Sequence, residues 1–148
     1  MDGVPDEREK LIDFFDFQDK PAFVLTGDLH NSFLIRIADN VWEMASGPHN
    51  STNHWVTDEG DRPANGSFKY GPREVEIRWS TSFRSDIPRE YLLQPIFCVV
   101  QANNVFNNPR SPDEKRWVAY PRPQVIFRYY DGRTGALSYT ESILATAR

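Results

Sequence analysis

Apolar residues at positions 11, 12, 14, 15 and 17 follow a turn of mixed acids and bases and recur at the helical period, which predicts an amphipathic N-terminal helix over residues 5–17. Two β-prone runs come next, residues 21–26 and 33–38, separated by a polar turn beginning at Gly27-Asp28; they predict a hairpin. Asp39-Asn40 reads as an N-cap for a short helix over residues 41–45, ended by Ser46-Gly47-Pro48. Between Pro48 and Asn65 periodicity fades into Asn, Thr, Asp, Gly and Pro, the signature of an irregular loop or cap, with Trp55 as its one bulky apolar side chain.

The clearest strand lies within residues 68–84, where Val75, Ile77 and Trp79 alternate with Glu74, Glu76 and Arg78. Residues 92–100 are almost continuously apolar, as expected of a central strand buried on both faces. A second polar loop covers 103–116. Pro121 and Pro123 argue against residues 117–120 running on as an interior strand, and a last strand is expected over 125–130 before the Asp131-Gly132 turn. Residues 138–147 have modest helical character. The simplest way to bury this series is an α+β fold: a single antiparallel sheet of about five strands with helices on one face, formed by residues 1–148 as one domain.

Composition adds limits to that picture. A chain of 148 residues buries roughly 70% of the surface its unfolded form exposes, enough for one core. Aromatics make up 14% of the chain, so Phe, Tyr and Trp must fill much of that core. A net charge of −4 with no Lys/Arg cluster disfavours nucleic acid. No run approaches the about 20 apolar residues of a membrane span, and the N-terminus lacks the basic and apolar regions of a signal peptide. The lone cysteine, Cys98, lies in an apolar run and reads as a buried small hydrophobe in a reducing compartment; the expected location is the cytoplasm. The sequons at Asn50 and Asn65 would matter only in a secreted chain.

Particular residues carry a family resemblance. Phe14-Phe15, the strand Asp19-Lys-Pro-Ala-Phe-Val-Leu25 and the passage Ile35-Arg-Ile-Ala-Asp-Asn-Val-Trp-Glu-Met-Ala-Ser-Gly47, in this order before three later strands, resemble a PAS sensory domain, in particular the PAS-like segments of fungal hybrid histidine kinases. The resemblance implies a PAS-like sheet, a sensory role and signal leaving through a terminal helix. The Asn-Cys-Arg-Phe-Leu element of flavin-binding photosensory members is missing, which argues against a light-driven cysteinyl adduct.

Candidate chemistry is sparse. No Gly-rich phosphate loop, Gly-x-Ser-x-Gly elbow or His-Glu-x-x-His occurs. His49 and His54, near Asp58 and Glu59, are the one close set of metal-ligand types, but a polar loop lacks the rigid frame a metal site needs, so solvated histidines are the favoured reading. His30 reads as a turn residue, with Asp28/His30 as an acid–base alternative. No catalytic residue and no metal site is therefore assigned, and no cofactor is identified.

Trp42, Trp55, Trp79, Phe97 and Cys98 are the candidate ligand-binding residues, against the competing expectation that a strand Trp fills the core. The expected function is a non-enzymatic sensory or protein-interaction module enclosing a small apolar ligand and relaying a signal to a homodimer mate or signalling partner. The alternative is a dehydratase/isomerase-like enzyme or carrier with a cone-shaped α+β fold, using Asp28, His30 or His54 as base. Such an enzyme needs a buried carboxylate or imidazole in its pocket. A filled-core interaction domain is the third reading.

Overall fold

The computed structural model describes residues 3–27, 29–49, 52–55, 62–81, 88, 91, 93–110 and 116–145. Among these there is one helix, α1 (Gly3–Asp16), and eight strands: β1 (Ala22–Thr26), β2 (Phe33–Arg36), β3 (Val41–Ala45), β4 (Gly66–Tyr70), β5 (Arg73–Ser80), β6 (Ile96–Asn107), β7 (Trp117–Asp131) and β8 (Leu137–Leu144). They form two sheets: a mixed five-stranded one in the order β1-β3-β2-β5-β4, and an antiparallel three-stranded one in the order β6-β7-β8. The expected α+β fold with a single antiparallel sheet and helices on one face is thereby overturned.

The sheets divide because each has an apolar face for the other. Leu34, Trp42 and Met44 from the larger sheet pack on Ile96, Phe127, Tyr129 and Ile143 from the smaller, with Phe23, Trp79, Cys98, Val125 and Tyr139 around them. Alternation then places Phe33, Ile35, Ala45, Val75 and Ile77 on the opposite face of the larger sheet, where Ile37 and Phe68 join them in a second cluster. At the centre of the first cluster Tyr129 is fully buried, and its hydroxyl donates to the Phe33 carbonyl at 2.7 Å, tying β7 to β2.

Several local expectations give way to this packing. Residues 41–45 form β3, not a helix, because Ile37 and Ala38 donate to the Val41 carbonyl in a tight turn that lays β3 back along β2. Val41, Trp42, Met44 and Ala45 are all buried, spread over both faces of the sheet; five residues would make only a marginal helix. β1 and β2 do not pair as a hairpin. β3 lies between them, parallel to β1 and antiparallel to β2.

Residues 138–144 lie in β8 rather than a helix, with Tyr139 and Ile143 both turned to the inter-sheet core. The run expected to be a central strand enters β6, which is an edge of its sheet with Phe97 and Val99 exposed. β7 runs through both prolines. The β6–β7 register jumps from Asn103↔Gln124 to Val105↔Ala119, so Pro121 and Pro123 fall where no ladder bond is needed from their missing N–H groups.

Removing the Tyr129 hydroxyl while keeping its ring tests the tie between the sheets. Tyr129→Phe is expected to lower unfolding free energy by about 1–3 kcal/mol, the cost of leaving a buried acceptor unsatisfied, measured by denaturant titration.

Candidate functional site

α1 crosses the second apolar face of the larger sheet without sealing it. A cleft of about 590 Å³ remains beneath it, with a floor of Phe33, Ile35, Ile37, Phe68 and Val75 and a charged wall of Arg8, Glu9, Glu43, Arg62 and Arg73. The helix is held there by ions rather than by deep packing: Arg73 of β5 donates to the carboxylates of both Glu9 and Asp13, one helical turn apart on α1. Arg8 bonds Glu9 at 2.6 Å and lies 4.8 Å from the centre of the Tyr70 ring. The hydrogen bond from Arg8, with that from Arg73, holds the Glu9 carboxyl below its ordinary range despite some desolvation.

Glu43 is the unusual member. It stands on β3 opposite Ile35 of β2, which directs it to the cleft face in the middle of an otherwise apolar strand. Thr26 donates to it at 3.3 Å from β1. Burial pushes its carboxyl above the ordinary value, outweighing the Thr26 hydrogen bond and the nearby charge of Arg62. The Arg62 guanidinium is placed 5.0 Å from the centre of the Phe33 ring, over the cleft floor. Three guanidiniums thus face two carboxylates, one of them biased toward its neutral form, above an apolar base.

None of the five residues expected to bind ligand lines this cleft. Trp42, Trp79 and Cys98 are brought together in or against the inter-sheet core, where Trp79 packs 4.7 Å from Tyr129 and 5.4 Å from Tyr139. Trp42 also borders a smaller cleft of about 300 Å³ between the sheets, and its buried indole N–H meets no acceptor among the described residues. Burial raises the Cys98 thiol to about 11, away from reactivity. Phe97 lies on the outer face of the smaller sheet, stacked on Tyr130 at 5.2 Å, and Trp55 is half-buried outside both clusters.

His30 and His54 stack with ring centres 4.7 Å apart, and His30 Nδ1 is 3.2 Å from the Thr52 carbonyl; neither faces the cleft. His49 is exposed. Asp28, Asp58 and Glu59 lie outside the described residues. Among the described residues no group of three or more His, Cys, Asp and Glu side chains could hold a metal, and no helix is long and apolar enough to cross a membrane.

The residues overlooked in the sequence are Arg8, Glu9, Glu43, Arg62 and Arg73. Only Glu43 left a signal there, as a lone charge inside Val41-Trp-Glu-Met-Ala45.

Because the folded state holds the Glu43 proton more tightly than the unfolded chain, ionising it costs stability as pH rises through and above the carboxylate range. Glu43→Gln is expected to melt higher than the parent at neutral pH, with the gap closing below the ordinary carboxyl value, as followed by thermal unfolding across a pH series.

The chain matches no known protein family, no curated protein and no solved structure.

Proposed function

We propose that the protein is a non-enzymatic binding module of the sensory kind, whose cleft beneath α1 takes a small apolar molecule carrying one anionic group. The observation that supports this reading is the lining: an apolar floor on a rigid sheet, with three arginines against two glutamates at the wall. The floor would take a hydrocarbon or aromatic body, and a guanidinium would take a carboxylate with charge-assisted hydrogen bonds. Ligand in the cleft would touch Arg8, Glu9 and Ile12, so occupancy would bear on the position of α1, the terminal helix through which a signal would leave. The proposed setting is cytoplasmic, in keeping with a lone free cysteine.

A second reading keeps one observation in its favour. Glu43 is a carboxyl raised by burial and set in a cleft, the group an isomerase-like enzyme would use as its base. Among the described residues its one companion acid in the cleft is Glu9, which is held ionised by arginine.

Titration with decanoate and with decanol, followed by calorimetry, tests the proposal. Decanoate is expected to bind more tightly than decanol; Arg62→Gln should weaken decanoate by about tenfold or more, and Glu43→Gln should strengthen it by removing a like charge. Equal affinity for the alcohol and the acid would overturn the anionic preference, and failure of both to bind would overturn the cleft as an apolar site.

A further inference from the structure

Among the described residues the two sheets present four edge strands, β1, β4, β6 and β8, and three of them carry devices that discourage pairing with another chain. β4 holds Gly66 and the exposed Lys69; β6 is broken by the register shift between Asn103 and Val105; β8 turns the charged Glu141 inward to Arg78. β1, Ala22–Thr26, has none. It contains no charge, proline, glycine or bulge, and its Leu25 and Val24 side chains are 64% and 40% exposed.

The ladder to β3 decides which backbone groups of β1 remain available. Ala22 N–H bonds the Asn40 carbonyl and the Thr26 carbonyl accepts from Ser46 N–H, so in this parallel pair the even-numbered residues 22, 24 and 26 face β3. Phe23 and Leu25 therefore direct N–H and C=O outward, symmetrically about Val24. A two-fold axis through Val24 brings Phe23 opposite Leu25 of a second copy and Leu25 opposite its Phe23, both as hydrogen-bonded antiparallel pairs, with Val24 facing its own counterpart in the close pair between them.

We infer that β1 is a homodimer interface, pairing antiparallel with β1 of a second copy so that the two larger sheets join into one. The backbone spacing is self-complementary, and an uncharged strand meets no like-charge repulsion when it approaches itself. The side chains agree. Phe23 already rests 5.3 Å from Phe127 at the margin of the inter-sheet core, and the pairing sets the exposed Leu25 of the second copy beside it, extending each core across the axis. The interface borders the ligand cleft on one face, where Val24 lies opposite Glu43 and Thr26 donates to it, but no residue of β1 lines the cleft itself.

Sedimentation of the full chain over a range of concentrations tests the inference, with two kinds of variant. The parent is expected to form dimers, and Val24→Lys, which sets like charges opposite each other at a position exposed in the monomer, should raise the dimer dissociation constant by about tenfold or more with its circular dichroism unchanged. Val24→Cys should give a disulfide-linked dimer under mild oxidation, since the close pair has Cα atoms about 4.5 Å apart. Leu25→Cys, whose counterpart is displaced two residues along the strand, should not cross-link, and neither should the parent with only Cys98. A parent that stays monomeric at its highest soluble concentration overturns the inference. So does a dimer that survives Val24→Lys, or one that cross-links through Leu25→Cys instead of Val24→Cys.

Discussion

The placement of Tyr129 is the constraint on which most of this architecture depends. A phenol can be buried completely only if its hydroxyl finds an acceptor, and here the acceptor is the Phe33 carbonyl of the opposing sheet at 2.7 Å. That bond, with Trp79 against the ring and Phe127 two residues away on the same face, sets β7 over β2 at the centre of the sandwich. The same burial drives the phenol's ionisation far above its ordinary range, so the group remains a neutral donor wherever the protein is folded.

Once the smaller sheet covers that face, the charged cleft beneath α1 falls to the other. Among the described residues one helix covers the opposite face, and it is attached through Arg73 to the half-buried Glu9 and the exposed Asp13, with Asp16 accepting from the Asn40 backbone N–H at its far end. Ion pairs of this kind contribute modestly and weaken with salt, whereas the inter-sheet core rests on burial of aromatic and aliphatic area. A packed sheet floor beneath a helix held by ion pairs is the arrangement the proposed ligand cleft would use. Its low-dielectric floor also explains the raised Glu43 carboxyl, since one charge is held among Phe33, Ile35 and Ala45.

The elements that were legible in the sequence are those whose local pattern and tertiary role agree. α1 announced itself by its period, β5 by alternation at Val75, Ile77 and Trp79, and the end of β7 by its β-branched and aromatic run. Residues 41–45 were misleading because apolar groups at 41, 42, 44 and 45 fit a helix stripe as well as a strand buried on both faces, and only the turn onto β2 distinguishes them. β8 has a similar ambiguity. Prolines 121 and 123 argued for a break between residues 117–120 and the last strand, yet β7 runs through both as the central strand of its sheet, because the register with β6 skips the residues that lack an N–H.

By itself, the sequence determined that this chain must bury many aromatic side chains, that its helix is amphipathic, and that its histidines lie in turns and loops rather than on strands. These are properties of composition and short-range period, which need no knowledge of neighbours. Tertiary structure decided the rest: the split into two sheets, the parallel placement of β1, the burial of Trp42, Trp79 and Cys98 in the core, and the assembly of Arg8, Glu43, Arg62 and Arg73 around one cleft. Those residues are separated by up to 65 positions and share no local pattern. Only the pairing of strands distant in sequence, with α1 laid across them, brings their charges above one apolar floor.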